Sequence, residues 1–240
     1  MNKKQSNQWQ PSNPSKWRGF FLTLIGLLIL IIIGFVFYQT YHNTSSNQQS
    51  SKKHRSEKQI NQQIGDIIKT RHAPPKGDKN APVRVVTFTD FKCDHCQVFH
   101  QKYYPMLKEK ADKGEIAYYN INHPIVNSDS IKFSHMSDAI AKKGTKEEYW
   151  QFVNESYHDM NETQPYNIVQ RLNLSTQKEK AINDEYKTIK DDPYDKQLKQ
   201  ANQFGVHSTP NIFVNGKHIE NQEKLEETIN KEVAKHGKND

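Results

Sequence analysis

The sequence is poor in cysteine: its 240 residues include only two, Cys93 and Cys96. Because there is no third cysteine, this pair is the only disulfide that the chain can form with itself. A structural zinc site usually draws a second pair of ligands from a separate segment. We therefore expect no metal ion at these cysteines, although His95 and His100 lie within two helical turns of them.

Charge is missing over a long stretch, since no Asp, Glu, Lys or Arg lies between Gly19 and Ser51. Residues 19–38 are almost uniformly apolar, and about 20 such residues are enough for a helix to cross a bilayer. A cleaved signal peptide has a shorter apolar region that ends in a small-residue cleavage site, and we find no convincing site here. A lipoprotein is excluded because no cysteine directly follows the segment to carry the lipid. We predict a transmembrane signal-anchor helix over residues 19–38.

The flanking charges predict the orientation of this anchor. Four positive charges precede it, whereas the first positive charge after it is Lys52. The four are Lys3, Lys4, Lys16 and Arg18. By the positive-inside rule, residues 1–18 lie in the cytoplasm and everything after Tyr38 lies outside. We expect a single-pass protein of the cell membrane with an extracellular domain.

The net charge of +7 is unevenly distributed. Residues 1–81 hold 12 Lys and Arg against 3 Asp and Glu, whereas residues 82–240 hold 22 against 24. The predicted domain is therefore nearly neutral, and the basic residues belong to the membrane flanks and the tether. No DNA- or RNA-binding motif accompanies them, which argues against a nucleic-acid partner.

Residues 39–72 are predicted to form a polar stalk followed by a short helix. Residues 41–56 are rich in Asn, Gln, Ser and Lys, the composition of a flexible linker. Four isoleucines then recur at helical spacing before Pro74: Ile60, Ile64, Ile67 and Ile68. We expect this helix to pack on the domain rather than to contact the membrane.

The domain, residues 73–240, begins with a strand–helix–strand pattern. Val83–Phe88 and Ile116–Ile121 are the predicted strands, and a helix over about residues 93–110 connects them. A connection of this kind is right-handed and leaves the two strands parallel. The two cysteines follow the first strand directly, at the start of the helix.

A helical stretch separates this unit from the last strands. Thr145 and Glu148 have capping-box spacing, and residues 130–204 contain no clear strand. Asn215-Gly216 then predicts a two-residue hairpin turn, and a final helix closes the chain. The predicted architecture is an α/β thioredoxin-like fold with a helical insertion at about residues 127–204.

The position of the cysteines indicates redox chemistry. Unpaired N–H groups and the dipole at a helix N-terminus favour the thiolate form of Cys93. His95, between the cysteines, is expected to add a donor or a positive charge and to lower the Cys93 pKa further. Cys96, one turn further along the helix, is expected to be a buried resolving thiol.

Two motifs extend this interpretation to a family. Residues 81–96, APVRVVTFTDFKCDHC, and residues 205–216, GVHSTPNIFVNG, resemble the DsbA family of extracytoplasmic thiol–disulfide oxidoreductases. The membrane-anchored members from Gram-positive bacteria are the most similar in layout, and the likeness covers about residues 77–240. The resemblance implies a redox-active Cys93–Cys96 disulfide without an organic cofactor or metal.

The resemblance also assigns the second motif. Pro210 corresponds to the cis-proline of the fold, which faces the cysteines. It presents the backbone of Thr209 to an extended substrate, so both are predicted substrate-binding residues. Without the cysteines, residues 208–210 would be interpreted as an ordinary turn before a strand.

One position departs from the family pattern. Many relatives carry a buried acid six residues before the first cysteine, where it helps to move protons to and from the inner thiol. This chain has Thr87 there. Asp90 is a candidate substitute, or a residue that caps the turn. We assign Thr87, Asp90 and Asp94 to redox tuning or proton transfer.

The sequence therefore predicts a monomeric, membrane-tethered oxidase that forms disulfides in exported proteins with free cysteines. A quinone-linked membrane partner or small-molecule oxidants would reoxidise it. One alternative is an isomerase or reductase on the same fold, although these commonly add a dimerisation region. A second alternative is a tethered binding protein with a vestigial disulfide, which the intact Cys93, His95, Cys96 and Pro210 argue against.

Overall fold

The computed structural model describes residues 29–36, 38, 55–189 and 194–236. The chain divides into two units, Met1–His54 and Arg55–Asp240. Residues 29–36 and 38, in the first unit, are helical. More than half of the predicted anchor and all of residues 1–18 and 39–54 lie outside the described residues. Within the described part, no helix combines the length and apolar character that a membrane crossing requires.

The second unit alternates strands and helices as the sequence pattern predicts. Its elements, in chain order, are α1 (Glu57–Arg71), β1 (Val83–Thr89), α2 (Asp94–Asp112), β2 (Ile116–Asn122), α3 (Ser128–Lys143), α4 (Lys146–His158), α5 (Pro165–Gln170), α6 (Thr176–Thr188), α7 (Tyr194–Asn202), β3 (Asn211–Val214), β4 (Lys217–His218), a 3₁₀ turn (Gln222–Lys224) and α8 (Leu225–His236). Helices α3 to α7 form the predicted insertion between β2 and β3. The Thr145–Glu148 capping box begins α4.

The strands form one sheet in the order β2-β1-β3-β4. Strands β1 and β2 are parallel, as predicted for a strand–helix–strand unit, and β3 runs antiparallel to β1. The β3–β4 turn has φ of 49° at Asn215 and 86° at Gly216. Positive φ at both positions is what the predicted type I′ turn requires.

Alternation along the strands gives the sheet two differently packed faces. The cysteine face carries Cys93 and Cys96 and helices α2 to α6 and α8, and its buried strand residues are Val83, Val85, Ile116, Tyr118, Ile212 and Val214. The α1 face carries α1 and the end of α7, and its buried strand residues are Val86, Phe88, Ala117, Tyr119, Ile121 and Phe213. The sheet therefore lies between two hydrophobic clusters.

Helix α1 belongs to the compact unit, which begins at Arg55 rather than at residue 73 as the predicted boundary had it. Ser56 and Gln59 cap its start reciprocally, and Ile64 and Ile67 are buried in the cluster on the α1 face. The helix also passes so close to the hairpin that a Cβ on Gly216 would clash with the Glu57 carbonyl oxygen. The expectation that this helix packs on the domain is confirmed.

A buried ion pair joins α1 to the insertion. Arg71 pairs with Asp138 of α3, and the Tyr194 hydroxyl of α7 donates to Asp138 Oδ2 over 2.7 Å. The Arg71 guanidinium also lies 3.8 Å from the centre of the Tyr194 ring. Breaking a buried pair by removing one partner costs about 3–5 kcal/mol, so this contact fixes α1 to the helices that cover the sheet.

Candidate active site

The cysteines occupy the turn between β1 and α2. Cys93 is the N-cap of α2, and its carbonyl oxygen accepts hydrogen bonds from the N–H groups of Cys96 at 2.9 Å and Gln97 at 3.1 Å. Both cysteines are free thiols, with 8% of Cys93 and none of Cys96 exposed. The outer sulfur is thus at the helix N-terminus and the inner sulfur is inside the protein, as the sequence predicts.

The surroundings of Cys93 stabilise its thiolate. A hydrogen bond from the Cys96 thiol has the largest effect, and the Thr209 side chain and the backbone N–H groups of Cys96 and His95 add to it. Burial opposes these donors, yet together they lower the pKa of Cys93 to about 5. Cys93 is therefore a thiolate, and a good leaving group, at neutral pH.

The surroundings of Cys96 do the opposite. Burial raises the pKa of Cys96 far above the ordinary range, and its hydrogen bond to Cys93 raises it further. The backbone N–H of Asp90 and the side chain of Thr209 only partly offset this. The two thiols of the pair are therefore strongly unequal, with the charge held on Cys93.

The residues between the cysteines are exposed. His95 acts on the Cys93 pKa through its backbone N–H. Among the hydrogen bonds of the described residues, none joins the His95 imidazole or the Asp94 carboxylate to either sulfur. The sequence predicted a hydrogen-bond donor from the His95 imidazole, whereas the structure supplies it from the His95 backbone N–H.

The second predicted motif lies against the cysteines. The Thr209–Pro210 peptide bond is cis, as predicted, and Cys93 Sγ lies 3.5 Å from the Thr209 carbonyl oxygen, which accepts a hydrogen bond from the thiol when Cys93 is protonated. That oxygen and the Thr209 side chain are thus within reach of a sulfur bound at Cys93. The geometry suits pairing of the Thr209 backbone with an extended peptide.

Thr87 takes part in a buried polar network instead of supplying an acid. Its hydroxyl is 3.1 Å from Tyr118 Oη and 3.3 Å from Asn120 Oδ1. The Thr89 hydroxyl donates to the same Asn120 oxygen over 2.7 Å. The predicted proton-transfer position is therefore occupied by a hydroxyl that is hydrogen-bonded to a phenol and an amide.

The Asp90 carboxylate holds the backbone of two segments together. It is fully buried and accepts hydrogen bonds from the N–H groups of Lys92, Ile125 and Val126 at 2.8, 2.7 and 2.9 Å. Its own carbonyl oxygen accepts from the Cys93 N–H over 3.2 Å. Asp90 therefore has the turn-capping role, and it fixes the loop after β2 beside the cysteines.

Two solved structures share this fold. The oxidised BdbD of Bacillus subtilis is 23% identical, with a TM-score of 0.56 over 70% of this chain and 95% of that one. Alpha-DsbA1 of Wolbachia pipientis is 22% identical, with a TM-score of 0.51 over 68% of this chain and 92% of that one. At these identities the likeness shows the fold, which is the predicted thioredoxin-like fold.

Sequence relatives decide the family. The family described as "Thioredoxin" matches residues 69–231. The "Probable disulfide bond formation protein D" of Bacillus cereus is 32% identical over 170 residues, which cover 66% of this chain and 78% of the relative. The "Disulfide bond formation protein D" of Bacillus subtilis is 27% identical over 176 residues, 67% of this chain and 77% of the relative. The chain belongs to the DsbA family.

As a DsbA-family member, the protein is a thiol–disulfide oxidoreductase, and its redox group is a cysteine pair. The only pair that the sequence offers is Cys93 and Cys96. In the described ranges, no group of three or more His, Cys, Asp or Glu side chains is arranged to hold a metal ion.

One residue packed against the cysteine turn was not predicted from the sequence. Tyr157 of α4 is buried under the turn, with its ring centre 5.5 Å from that of Phe91 and 4.7 Å from that of His100. The Gln97 side chain donates to the Tyr157 carbonyl oxygen over 2.8 Å. Tyr157 lies 61 positions after Cys96, and the helical periodicity of its segment predicts only that it is buried.

Proposed function

We propose that this DsbA-family protein is an oxidase that introduces disulfide bonds into exported proteins through Cys93 and Cys96. The inequality of the two thiols is the observation that carries this proposal. Because its thiolate is stabilised, the reduced form of Cys93 is favoured over the disulfide. A disulfide whose reduced form is stabilised tends to oxidise other dithiols.

The exchange takes two steps. A substrate thiolate attacks Cys93 Sγ of the disulfide, the Cys93–Cys96 bond breaks, and its electron pair goes to Cys96. A second substrate thiolate then attacks the substrate sulfur in the mixed disulfide and displaces Cys93 as a thiolate. The substrate leaves with a disulfide and the enzyme keeps two electrons on Cys93 and Cys96. A quinone-linked membrane partner or a small-molecule oxidant then accepts these electrons.

The surface beside Cys93 suits an extended peptide. The Thr209 backbone lies next to the sulfur, and in the loop that Asp90 fixes the apolar residues Ile125 and Val126 are 46% and 49% exposed. Backbone pairing together with scattered apolar contacts favours unfolded chains over one defined sequence. This supports exported proteins with free cysteines as the substrates.

We place the catalytic domain outside the cell, attached by an anchor over residues 19–38. The support is the uncharged apolar run, the four positive charges before it, and the first later charge at Lys52. A membrane-impermeant thiol reagent applied to intact, reduced cells should label Cys93. Labelling only after lysis would overturn the extracellular placement.

The reduction potential of the Cys93–Cys96 couple tests the direction of exchange. Equilibration with glutathione buffers should give a value less negative than about −180 mV, the potential of protein disulfide isomerase. A value near about −270 mV, as in thioredoxin, would instead favour the reductase alternative. Replacing Cys93 with Ser should abolish oxidation of a reduced dithiol peptide, and activity that survives this change would refute the assigned roles.

A further inference from the structure

A cleft of about 620 Å³ opens on the α1 face of the sheet, between α1 and the first residues of β1. The residues that line it come from α1, from the loop before β1, and from β1 and β2. The cysteine turn follows the other end of β1, and the proposed exchange at Cys93 and Cys96 does not use this cleft. The cleft is therefore a second concave feature of the domain whose chemistry has to be explained separately.

Positive charge dominates the cleft. Lys69 of α1, Lys79 of the loop before β1 and Arg84 of β1 line it, against one acidic residue, Asp66. Among the described residues, none of these three cations forms an ion pair. Three positive charges against one negative charge leave an excess of two, although residues 82–240 as a whole are nearly neutral.

The Arg84 guanidinium is the innermost of these charges. Arg84 is half-buried, and it faces α1 because Val83 and Val85 on either side of it face the cysteine cluster. Its Nη1 donates to the backbone and side-chain oxygens of Asn61 over 3.1 and 3.2 Å, and both acceptors are neutral. A guanidinium held away from bulk water usually pairs with a carboxylate or a phosphate. Arg84 therefore points to an anion that the described residues do not supply.

Helix α1 leaves space for this guanidinium at a glycine. A Cβ on Gly65 would lie 3.3 Å from Arg84 Nη1, which is tighter than ordinary van der Waals contact. Gly65 is in the interior of α1, where glycine is unfavourable relative to alanine. Asn61, Gly65 and Lys69 are spaced by four residues, so they share one face of the helix. That face combines room for the guanidinium with a further positive charge.

Neutral polar residues complete the lining. Asn80 and Tyr119 both line the cleft. Tyr119 lies two positions after Ala117, the register partner of Arg84, so the Arg84 and Tyr119 side chains are diagonal neighbours on the α1 face. Amide and phenol groups bind the hydroxyl groups of a ligand. The cleft therefore offers positive charge together with groups that recognise hydroxyls.

We propose that this cleft binds a phosphate monoester. Arginine and lysine are the side chains that bind phosphate in proteins. A monoester carries close to two negative charges at neutral pH, which matches the excess of two positive charges, whereas a carboxylate carries only one. The volume lies in the range of small-molecule sites, roughly 300–1,000 Å³. A soluble polyol phosphate and the headgroup of phosphatidic acid both present this group.

Glycerol 3-phosphate is the first probe. Isothermal titration calorimetry with the full-length protein, in an uncharged detergent at low ionic strength, should show saturable binding tighter than about 1 mM. Glycerol without the phosphate should not bind, and added salt should weaken the binding because it screens the charges. Absence of saturable binding to glycerol 3-phosphate, inorganic phosphate and phosphatidic acid alike would overturn the site.

Substitution of the cleft cations tests the location. Arg84→Gln should weaken glycerol 3-phosphate binding by roughly 10- to 100-fold, the equivalent of one hydrogen bond to a charged group. Lys79→Gln changes an exposed side chain, so folding is not at risk, and it should weaken binding by about two- to fivefold. Lys58→Gln is the matched control, since it removes the same charge from an exposed position of α1 outside the cleft. Equal weakening by Lys58→Gln and Lys79→Gln would refute the site in favour of a net-charge effect.

Nanodiscs distinguish the two sources of the phosphate. Full-length protein in phosphatidylcholine nanodiscs should bind glycerol 3-phosphate as it does in detergent. If phosphatidic acid in the nanodisc abolishes this signal in the wild type, the site takes the lipid headgroup; if the signal persists, the site takes the soluble ester. Both results support a phosphate site, whereas equal binding by the wild type and Arg84→Gln would overturn it.

The redox reaction provides an independent readout. Arg84→Gln should oxidise a reduced dithiol peptide at the wild-type rate, because the cleft and the cysteines lie at opposite ends of β1. Cys93→Ser should in turn bind glycerol 3-phosphate with unchanged affinity. A Cys93→Ser variant that stays an active oxidase would refute the proposed function alone, and an Arg84→Gln variant that binds phosphate normally would refute the phosphate site alone.

Discussion

The two faces of the sheet differ most where β1 and β2 end. On the cysteine face the last buried positions of these strands are polar: Thr87, Thr89, Asn120 and Asn122. On the α1 face the neighbouring positions are apolar: Val86, Phe88 and Ile121. Because successive side chains alternate between faces, one pair of strands serves both environments.

The α1 face mainly stabilises the fold, whereas the cysteine face carries the reactive groups. Apolar burial contributes about 25 cal/mol for each Å², so the α1 face stabilises the fold without polar partners. Buried polar groups are costly unless they are hydrogen-bonded, so Thr87, Thr89 and Asn120 on the cysteine face depend on the hydrogen bonds among them. The sheet can therefore hold a reactive pair at its end because its other face is an ordinary hydrophobic core.

The largest effect that tests this division is expected from Ile64→Ala. Ile64 is fully buried on the α1 face, and truncation of a buried isoleucine typically costs about 2–5 kcal/mol. Urea unfolding should show this loss, whereas the Cys93 pKa, measured from thiolate absorbance, should not change. Gln62→Ala, at an exposed position of the same helix, is the control. A shifted Cys93 pKa in Ile64→Ala would show that the faces are coupled.

Two substitutions test the difference between the faces: one makes a polar position of the cysteine face apolar, and the other makes an apolar position of the α1 face polar. Thr87→Val leaves the Tyr118 hydroxyl and the Asn120 amide with one partner fewer, which should cost about 1–3 kcal/mol. Val86→Thr places a hydroxyl without a partner in the apolar cluster, at a similar cost of about 1–3 kcal/mol. Unfolding free energies measure both, and a neutral Val86→Thr would mean that the α1 face tolerates polarity.

The pH dependence of stability should identify the cysteine face. The pKa of Cys93 is about 5 in the native protein and rises to its ordinary value of 9.0 on unfolding. Between pH 7 and 9 native Cys93 is therefore a thiolate, whereas unfolded Cys93 still holds its proton. The reduced protein should therefore gain stability with pH, by at most about 1.4 kcal/mol per pH unit, the slope for one proton. Cys93→Ser should lose this gain, and equal slopes in both proteins would contradict the prediction.

The choice of pH window follows from the other buried groups. Burial lowers the pKa of His100 and His123 to about 4, so both also make stability rise with pH, but only below about pH 7. The raised pKa of Cys96 makes stability fall above pH 9. Of Cys93, Cys96, His100 and His123, only Cys93 therefore makes stability depend on pH between pH 7 and 9.

Local patterns predicted most of the fold and the outer part of the site. The strand–helix–strand unit, the Asn215-Gly216 turn and the cis Thr209–Pro210 bond depend on short-range chemistry or on a motif, and all are present. The isoleucine spacing of α1 indicated an amphipathic helix but not the boundary of the unit that it packs into. A periodic pattern gives the apolar side of a helix, whereas its partner is fixed by tertiary packing.

The inner part of the site depends on contacts between distant positions. Tyr157 of α4 packs on Phe91 of the cysteine turn, and Asp90 binds N–H groups at Ile125 and Val126, 35 and 36 positions later. Neither contact leaves a sequence motif, because a tyrosine in a helix and an acid after a strand are common. The exposed ring of His95 is a similar case, since its place between the cysteines does not fix its direction.

The smallest effect is expected from His95→Ala, for which the sequence and the structure predict changes of different size in the Cys93 pKa. A charge-assisted contact of the imidazole would be worth about 1.5–3 kcal/mol, or tens of millivolts in the couple. The structure instead uses the backbone N–H of His95, which Ala retains. His95→Ala should therefore change the Cys93 pKa by less than about 0.5 units, about 0.7 kcal/mol.

His95→Pro removes that N–H at a first-turn position, where proline is tolerated, and should raise the Cys93 pKa more than Ala does. Thiolate absorbance titrations of the three proteins measure the order. A rise of a full unit in His95→Ala would show that the imidazole reaches the sulfur in solution, and the cysteine face would then draw its reactivity from a side chain as well as from the helix N-terminus.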